Sequence, residues 1–140
     1  MIAQGIVIQE NKVLMVRQFV ERGDIVWNFP GGGIEADESP EQACIRVKEE
    51  TGFDIQITKL IHVKNEKYSF LAKIIGGELF LDSEKPYNEE ILEVAWIDLD
   101  SHEKFDSFTR PILDLFWRKL SNETNSQKKS EPLQARFFRI

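Results

Sequence analysis

Cysteine occurs once in the 140 residues, at Cys44, so the chain can build neither an internal disulfide nor a cysteine cage for zinc. That usage suits a reducing compartment. Positive charge is also short: 18 Lys and Arg stand against 24 Asp and Glu, a net charge of −6. No global positive field is available to hold a nucleic-acid polymer. No apolar run approaches the roughly 20 residues that a spanning helix needs. The start, MIAQGIVIQENK, lacks the basic stretch and long apolar run of a secretory leader. We expect a cytoplasmic protein with neither a membrane nor a nucleic-acid polymer as partner. Internal repeats of useful length are absent. What is present is a globular composition, 41% hydrophobic and 30% charged with ten Phe and three Trp, in a length that fits one domain.

Two β-branched, apolar runs, IAQGIVIQ and KVLMVRQFV, flank the polar turn ENK and read as a hairpin whose second strand is buried on both faces. A loop and short strand follow over residues 21–28. Pro30 and three glycines then break regular structure and predict a turn. Ser39-Pro40-Glu41-Gln42 offers an N-cap serine, proline at the first helical position and glutamine at the third, so one helix of about three turns should start at Pro40 and stop at Gly52. Ala43, Cys44 and Val47 share its apolar face. FDIQITKLIHVK, KYSFLAKIIG and GELFL read as successive strands, with Gly76-Gly77 as a turn. An acidic loop then precedes a strand from Val94 to Ile97. Residues 106–120 read as a helix packing on the sheet, residues 121–132 as a polar linker, and residues 133–140 as an apolar segment that docks on its own domain or at a subunit contact, which leaves a homodimer open.

Within residues 31–53, the stretch GGGIEADESPEQACIRVKEETGF combines a glycine-rich loop with acids on a helix. It resembles the Nudix box, G-x5-E-x7-R-E-U-x-E-E-x-G-U with U apolar, the signature of hydrolases that cleave a nucleoside diphosphate linked to another group. Gly32, Glu38 and Arg46 keep the spacing read forward; Phe53, Gly52, Glu50, Glu49 and Val47 keep it read backward. The halves miss each other by one residue, because the glutamate after Arg46 is absent. The position three before Glu49 is Arg46 itself, and a guanidinium cannot act as a base near neutral pH. Burying Val47 is cheaper than burying Lys48. We therefore expect the glycine-rich loop to absorb the shift, with Asp37 in the seat of the upstream acid and Glu38 still a candidate. KVLMVRQF, WNFPGGGIE and EEILEVAWIDLD resemble flanking parts of the same family, which extends the likeness over residues 1–120.

The resemblance implies an α/β fold, a Nudix-type α/β/α sandwich with a mixed sheet between helices. It also implies a hydrolase of the pyrophosphate bond that depends on Mg²⁺ or Mn²⁺, since hard oxygen donors suit those ions. Glu49 and Glu50 are the first candidates for ligands and catalysis, Glu90 is a third ligand drawn from the late acids Glu89, Glu90 and Glu93, and Arg46 pairs with Glu38 to position the loop. Gly31, Gly32 and Gly33 bring main chain to the substrate, and Arg17 either reaches its phosphate or is an ordinary edge-strand charge. Trp27, Phe29 and Tyr68 serve base stacking or the core, His62 and His102 stand alone, and Cys44 is buried and inert. Two other functions compete: a nucleotide-binding or sensor module whose chemistry is lost, motivated by the missing glutamate, and an interaction domain working through LQARFFRI.

Overall fold

The computed structural model describes residues 1–20 and 23–116, so the expectations for residues 121–132 and 133–140 lie outside the described residues. Strands β1 (Ile2–Gln9) and β2 (Lys12–Phe19) form the expected hairpin. Its two turn residues, Glu10 and Asn11, sit at φ 48° and 69°, the left-handed pair that matches the twist of the flanking strands. The same device, Asn65 and Glu66, joins β5 (Phe53–Lys64) to β6 (Lys67–Gly77). Strand β1 runs parallel to β6, pairing Ile2 with Lys67 through Val7 with Ala72. On its other edge it meets the start of β2 and a short strand β4 (Gly31–Gly33), both antiparallel. Strands β3 (Ile25–Asn28) and β7 (Ile91–Asp98) flank β2, also antiparallel, and the result is one mixed sheet.

Apolar residues on both faces of β1 and β2 need cover on both sides, and helices supply it. On one face Ala3 and Phe70 meet Ala43, Cys44 and Val47 of the helical segments α1 (Pro40–Ala43) and α2 (Arg46–Thr51). On the other, Ile6, Val13, Met15 and Ile97 pack with Ile112 and Leu113 of a helix over residues 110–116, α3. Each of these core side chains is at most 5% exposed, so the sandwich expected from the family resemblance is the arrangement found. Among the described residues no helix is long and apolar enough to cross a membrane.

Five local expectations are corrected. The triple glycine is a strand, not a turn, because β1 offers its main chain a free edge. The helix from Pro40 is broken: Ser39 and Gln42 form the full capping box, but the chain then tightens before α2 begins. The amides of Ile45, Val47 and Lys48 donate three residues back, to Gln42, Cys44 and Ile45, at 3.0–3.1 Å. GELFL leaves the sheet beyond Gly77, since the Glu78 and Phe80 amides are drawn to the end of α2 instead. Finally, β7 begins at Ile91, and Asp106 caps α3 as an acceptor for the Thr109 amide rather than lying within the helix.

Candidate active site

Gly31 lies where only glycine fits. A Cβ there would come 2.2 Å from the Ala3 carbonyl oxygen and 2.6 Å from Gln4 Cα, so the loop main chain rests directly on β1. From this position the Gly31 amide donates to Glu50 Oε1 at 2.9 Å, joining the loop to the last turn of α2. Glu50 is partly buried, and burial pushes its carboxyl up to about 7; the Gly31 amide opposes the rise, Glu49 adds to it and Arg46 opposes it. Two adjacent carboxylates thus share a site with too little compensating charge.

Upstream, Arg46 and Glu38 form the expected pair, and it is bidentate: Nη1 to Oε2 at 3.2 Å and Nη2 to Oε1 at 2.9 Å. Glu38 also accepts the Glu35 amide at 3.0 Å, and Glu35 Oε1 lies 3.8 Å from Arg46 Nη2, a contact the sequence reading missed. The Glu35 amide first, and then the guanidinium, hold Glu38 below the usual carboxylate range, while Glu38 secures the charge of Arg46. The Arg46 stem lies over Gly32, whose added Cβ would stand 3.5 Å from Arg46 Cγ. Gly33 faces open space apart from the Met1 carbonyl oxygen 4.0 Å away.

The one-residue deficit is absorbed in the helix, not in the glycine-rich loop. An α-helix turns about 100° per residue and a 3₁₀ segment about 120°. Each tight step therefore adds about 20°, and the bonds at Ile45, Val47 and Lys48 recover part of the rotation that one absent residue removes. Both halves of the motif keep their places: Glu38 with Arg46 upstream, Val47 buried and Glu50 against the loop downstream. Asp37 does not take the Glu38 seat: the bidentate bonds of Arg46 go to Glu38, although both acids line an outer groove beside Ile45 and Ile75.

The late acids separate. Glu93 pairs with Arg17 at 3.1 Å across β2 and β7, with both side chains about half exposed. Glu90 is exposed, and its carbonyl accepts the Phe19 amide at 3.1 Å. Among the described residues no three His, Cys, Asp or Glu side chains form a ready metal cage, so Glu90 does not stand grouped with Glu49 and Glu50. The donor chemistry of that pair nonetheless fits a hard dication: two adjacent carboxylates, one driven toward protonation by burial, gain from a divalent neighbour.

A cavity of about 600 Å³ opens between α3 and the strands, lined by Gln4, His62, Lys64, Lys67, Ser69 and Phe108 among others. Its floor is a buried pair, Gln4 Nε2 donating to Ser69 Oγ at 2.9 Å. Gln4 is the register partner of Gly31 on one side and Ser69 on the other, so the floor adjoins the loop that holds Glu50. A glutamine inside an apolar strand was the available signal for it. Phe29 goes to the core, and Tyr68 stacks on Phe70 with centroids 6.5 Å apart. Trp27 packs at the core margin beneath Lys104, and Cys44 is buried with its thiol pushed up to about 12.

Residues 1–116 match the family model described as NUDIX domain. A putative 8-oxo-dGTP diphosphatase of Bacillus subtilis is 32% identical over 85 residues, 55% of this chain and 55% of that protein. An ADP-ribose pyrophosphatase of Methanocaldococcus jannaschii is 30% identical over 86 residues, 54% of this chain and 51% of that protein. A NUDIX hydrolase structure from Nitrosomonas europaea superposes with a TM-score of 0.69 at 21% identity, covering 82% of this chain and 86% of that one, a likeness of fold. The chain spans a quarter to just over half the length of the first curated relatives it matches. With the model match running through the sheet, the box and the late strand, the chain belongs to the NUDIX family.

Proposed function

We propose that the protein hydrolyses the pyrophosphate bond of a nucleoside diphosphate linked to another group, with Mg²⁺ or Mn²⁺ as cofactor, in the cytoplasm. The observation that carries this reading is the Glu50 carboxylate held on the Gly31 amide, with Glu49 beside it and the loop pinned by Arg46 and Glu38. NUDIX hydrolases generally need divalent ions, and the relatives' names cite ADP-ribose and 8-oxo-dGTP as substrates of those proteins.

In hydrolysis a water oxygen bonds to one phosphorus while the bridging P–O bond breaks, the bridging oxygen leaves with the second phosphate, and the water gives up its protons. A bound dication supplies charge neutralisation at the phosphates and a more acidic water. Glu49 and Glu50 would hold that ion. Arg46 and Glu38 keep the glycine-rich loop in register, so that Gly31, Gly32 and Gly33 present main chain rather than side chains to the phosphates. Arg17 spends one N–H on Glu93 and keeps other donors for a phosphate oxygen. The cavity floored by Gln4 and Ser69 has the size of a small-molecule site and receives the nucleoside.

A screen of nucleoside triphosphates, dinucleoside polyphosphates, nucleotide sugars and ADP-ribose with Mg²⁺ and Mn²⁺, reading released phosphate or nucleotide, tests the proposal. Turnover that a chelator stops and Mg²⁺ or Mn²⁺ restores supports it; no product from any of them refutes it. A second reading, a nucleotide-binding module without turnover, is favoured by Arg46 standing three residues before Glu49. It expects the same ligands to raise the melting temperature with no product formed.

A further inference from the structure

The last turn of any α-helix leaves carbonyls without helical partners. Here the segment after β6 supplies the donors. The Phe80 amide reaches the Thr51 carbonyl at 2.8 Å, the Glu78 amide reaches the Gly52 carbonyl at 3.2 Å, and the side chain of Asn88 reaches the Glu49 carbonyl at 2.9 Å. Asn88 is 1% exposed, in a short 3₁₀ turn (Pro86–Asn88) between β6 and β7. Its Nδ2 also donates to the Asp82 carbonyl at 3.0 Å, so both hydrogens of that nitrogen are used. Its Oδ1 has no partner among the described residues. A buried amide with one end unpaired is costly, and the two bonds at the other end are what this side chain contributes.

We propose that Asn88 is a positioning residue: its amide clamps the C-terminal turn of α2, which carries Glu49 and Glu50, to the loop that ends in Glu89 and Glu90. The clamp acts through main-chain carbonyls, so it sets where the carboxylates stand without touching a substrate. The loop and the helix end then move as one unit. The positioning role rests on the proposed function, because that reading makes Glu49 and Glu50 the ion-holding pair; the mechanical clamp stands without it.

Two variants and a control test both parts. Asn88→Asp keeps the shape but turns an acceptor toward two carbonyl oxygens, and Asn88→Ser is the milder change should the first not fold. Thr109→Ala, at a buried cap on the opposite face of the sheet, is the control for general destabilisation. In metal-free protein, amide hydrogen exchange in residues 49–52 and 78–90 should rise at least tenfold in an Asn88 variant and stay unchanged in the control. Mn²⁺ binding, followed by the electron paramagnetic resonance of the free ion, should weaken severalfold in the Asn88 variants alone. Unchanged exchange in those segments, or a uniform rise matching the control, overturns the clamp. Raised exchange with unaltered Mn²⁺ affinity overturns the positioning role. Wild-type protein that binds no Mn²⁺ refutes the ion-holding pair and with it the positioning role, while the exchange data still decide the clamp.

Discussion

Glu50 carries opposing demands in one side chain. Its carboxyl titrates in the folded protein at about 7, above the ordinary value of 4.5, so the folded state binds this proton more tightly than the unfolded state does. The stability it contributes is full below pH 4.5 and is lost as pH rises through 7. Metal-free protein should therefore lose on the order of 2–3 kcal/mol from this group between pH 4.5 and 8, measured by urea denaturation across pH. Glu50→Gln should flatten that slope and be more stable at pH 8, yet lower turnover by well over the roughly 10- to 100-fold that loss of a supporting partner costs. Unchanged turnover would remove Glu50 from the proposed chemistry. At Gly31 the obstacle is steric. Gly31→Ala places a methyl group against the β1 main chain and should cost about 3 kcal/mol or more, whereas Gly33→Ala, in open space, should stay within about 0.5 kcal/mol.

Among elements, the broken helix is the distinctive part. The capping box at Ser39 starts it and Gly52, at φ 86°, ends it; between them the tight segment lets a motif one residue short keep both its loop pair and its buried valine. Inserting Glu between Arg46 and Val47 should relax that segment to a regular helix and supply a third carboxylate. The expected outcome is Mn²⁺ affinity and turnover severalfold above wild type, read by ion titration and product release. A loss of both would show that the tightened helix is the working geometry. The helix start, the first hairpin and the pairing of Arg46 with Glu38 were legible in the sequence because each depends on chemistry within a few residues or on a short spacing. The interruption was not, since the apolar face of Ala43, Cys44 and Val47 is equally compatible with an unbroken helix.

At the scale of the whole molecule, the sheet brings residues from distant parts of the chain to one end. Gln4, Gly31 and Ser69 become neighbours only because β1 pairs with β4 on one edge and β6 on the other. Gln4→Leu should remove the donor to Ser69 at the cavity floor and raise KM for the best substrate severalfold with kcat nearly unchanged, the signature of lost uniform binding. An equal fall in kcat and kcat/KM would place Gln4 in the chemistry instead.

Local residue chemistry determined, without tertiary help, that this chain has one hairpin at its start, a capped helix at Pro40, a glycine-rich acidic motif with one residue too few, and no charge surplus for a nucleic-acid polymer. Tertiary structure alone decided that three glycines become a strand, that GELFL caps a helix rather than extending a sheet, that part of the missing rotation is recovered inside the helix, and that Asn88 joins two segments 39 positions apart. Each of those outcomes depends on which main-chain groups find partners across the fold. A strand edge, an orphan carbonyl or a packed face exists only once the rest of the chain is in place.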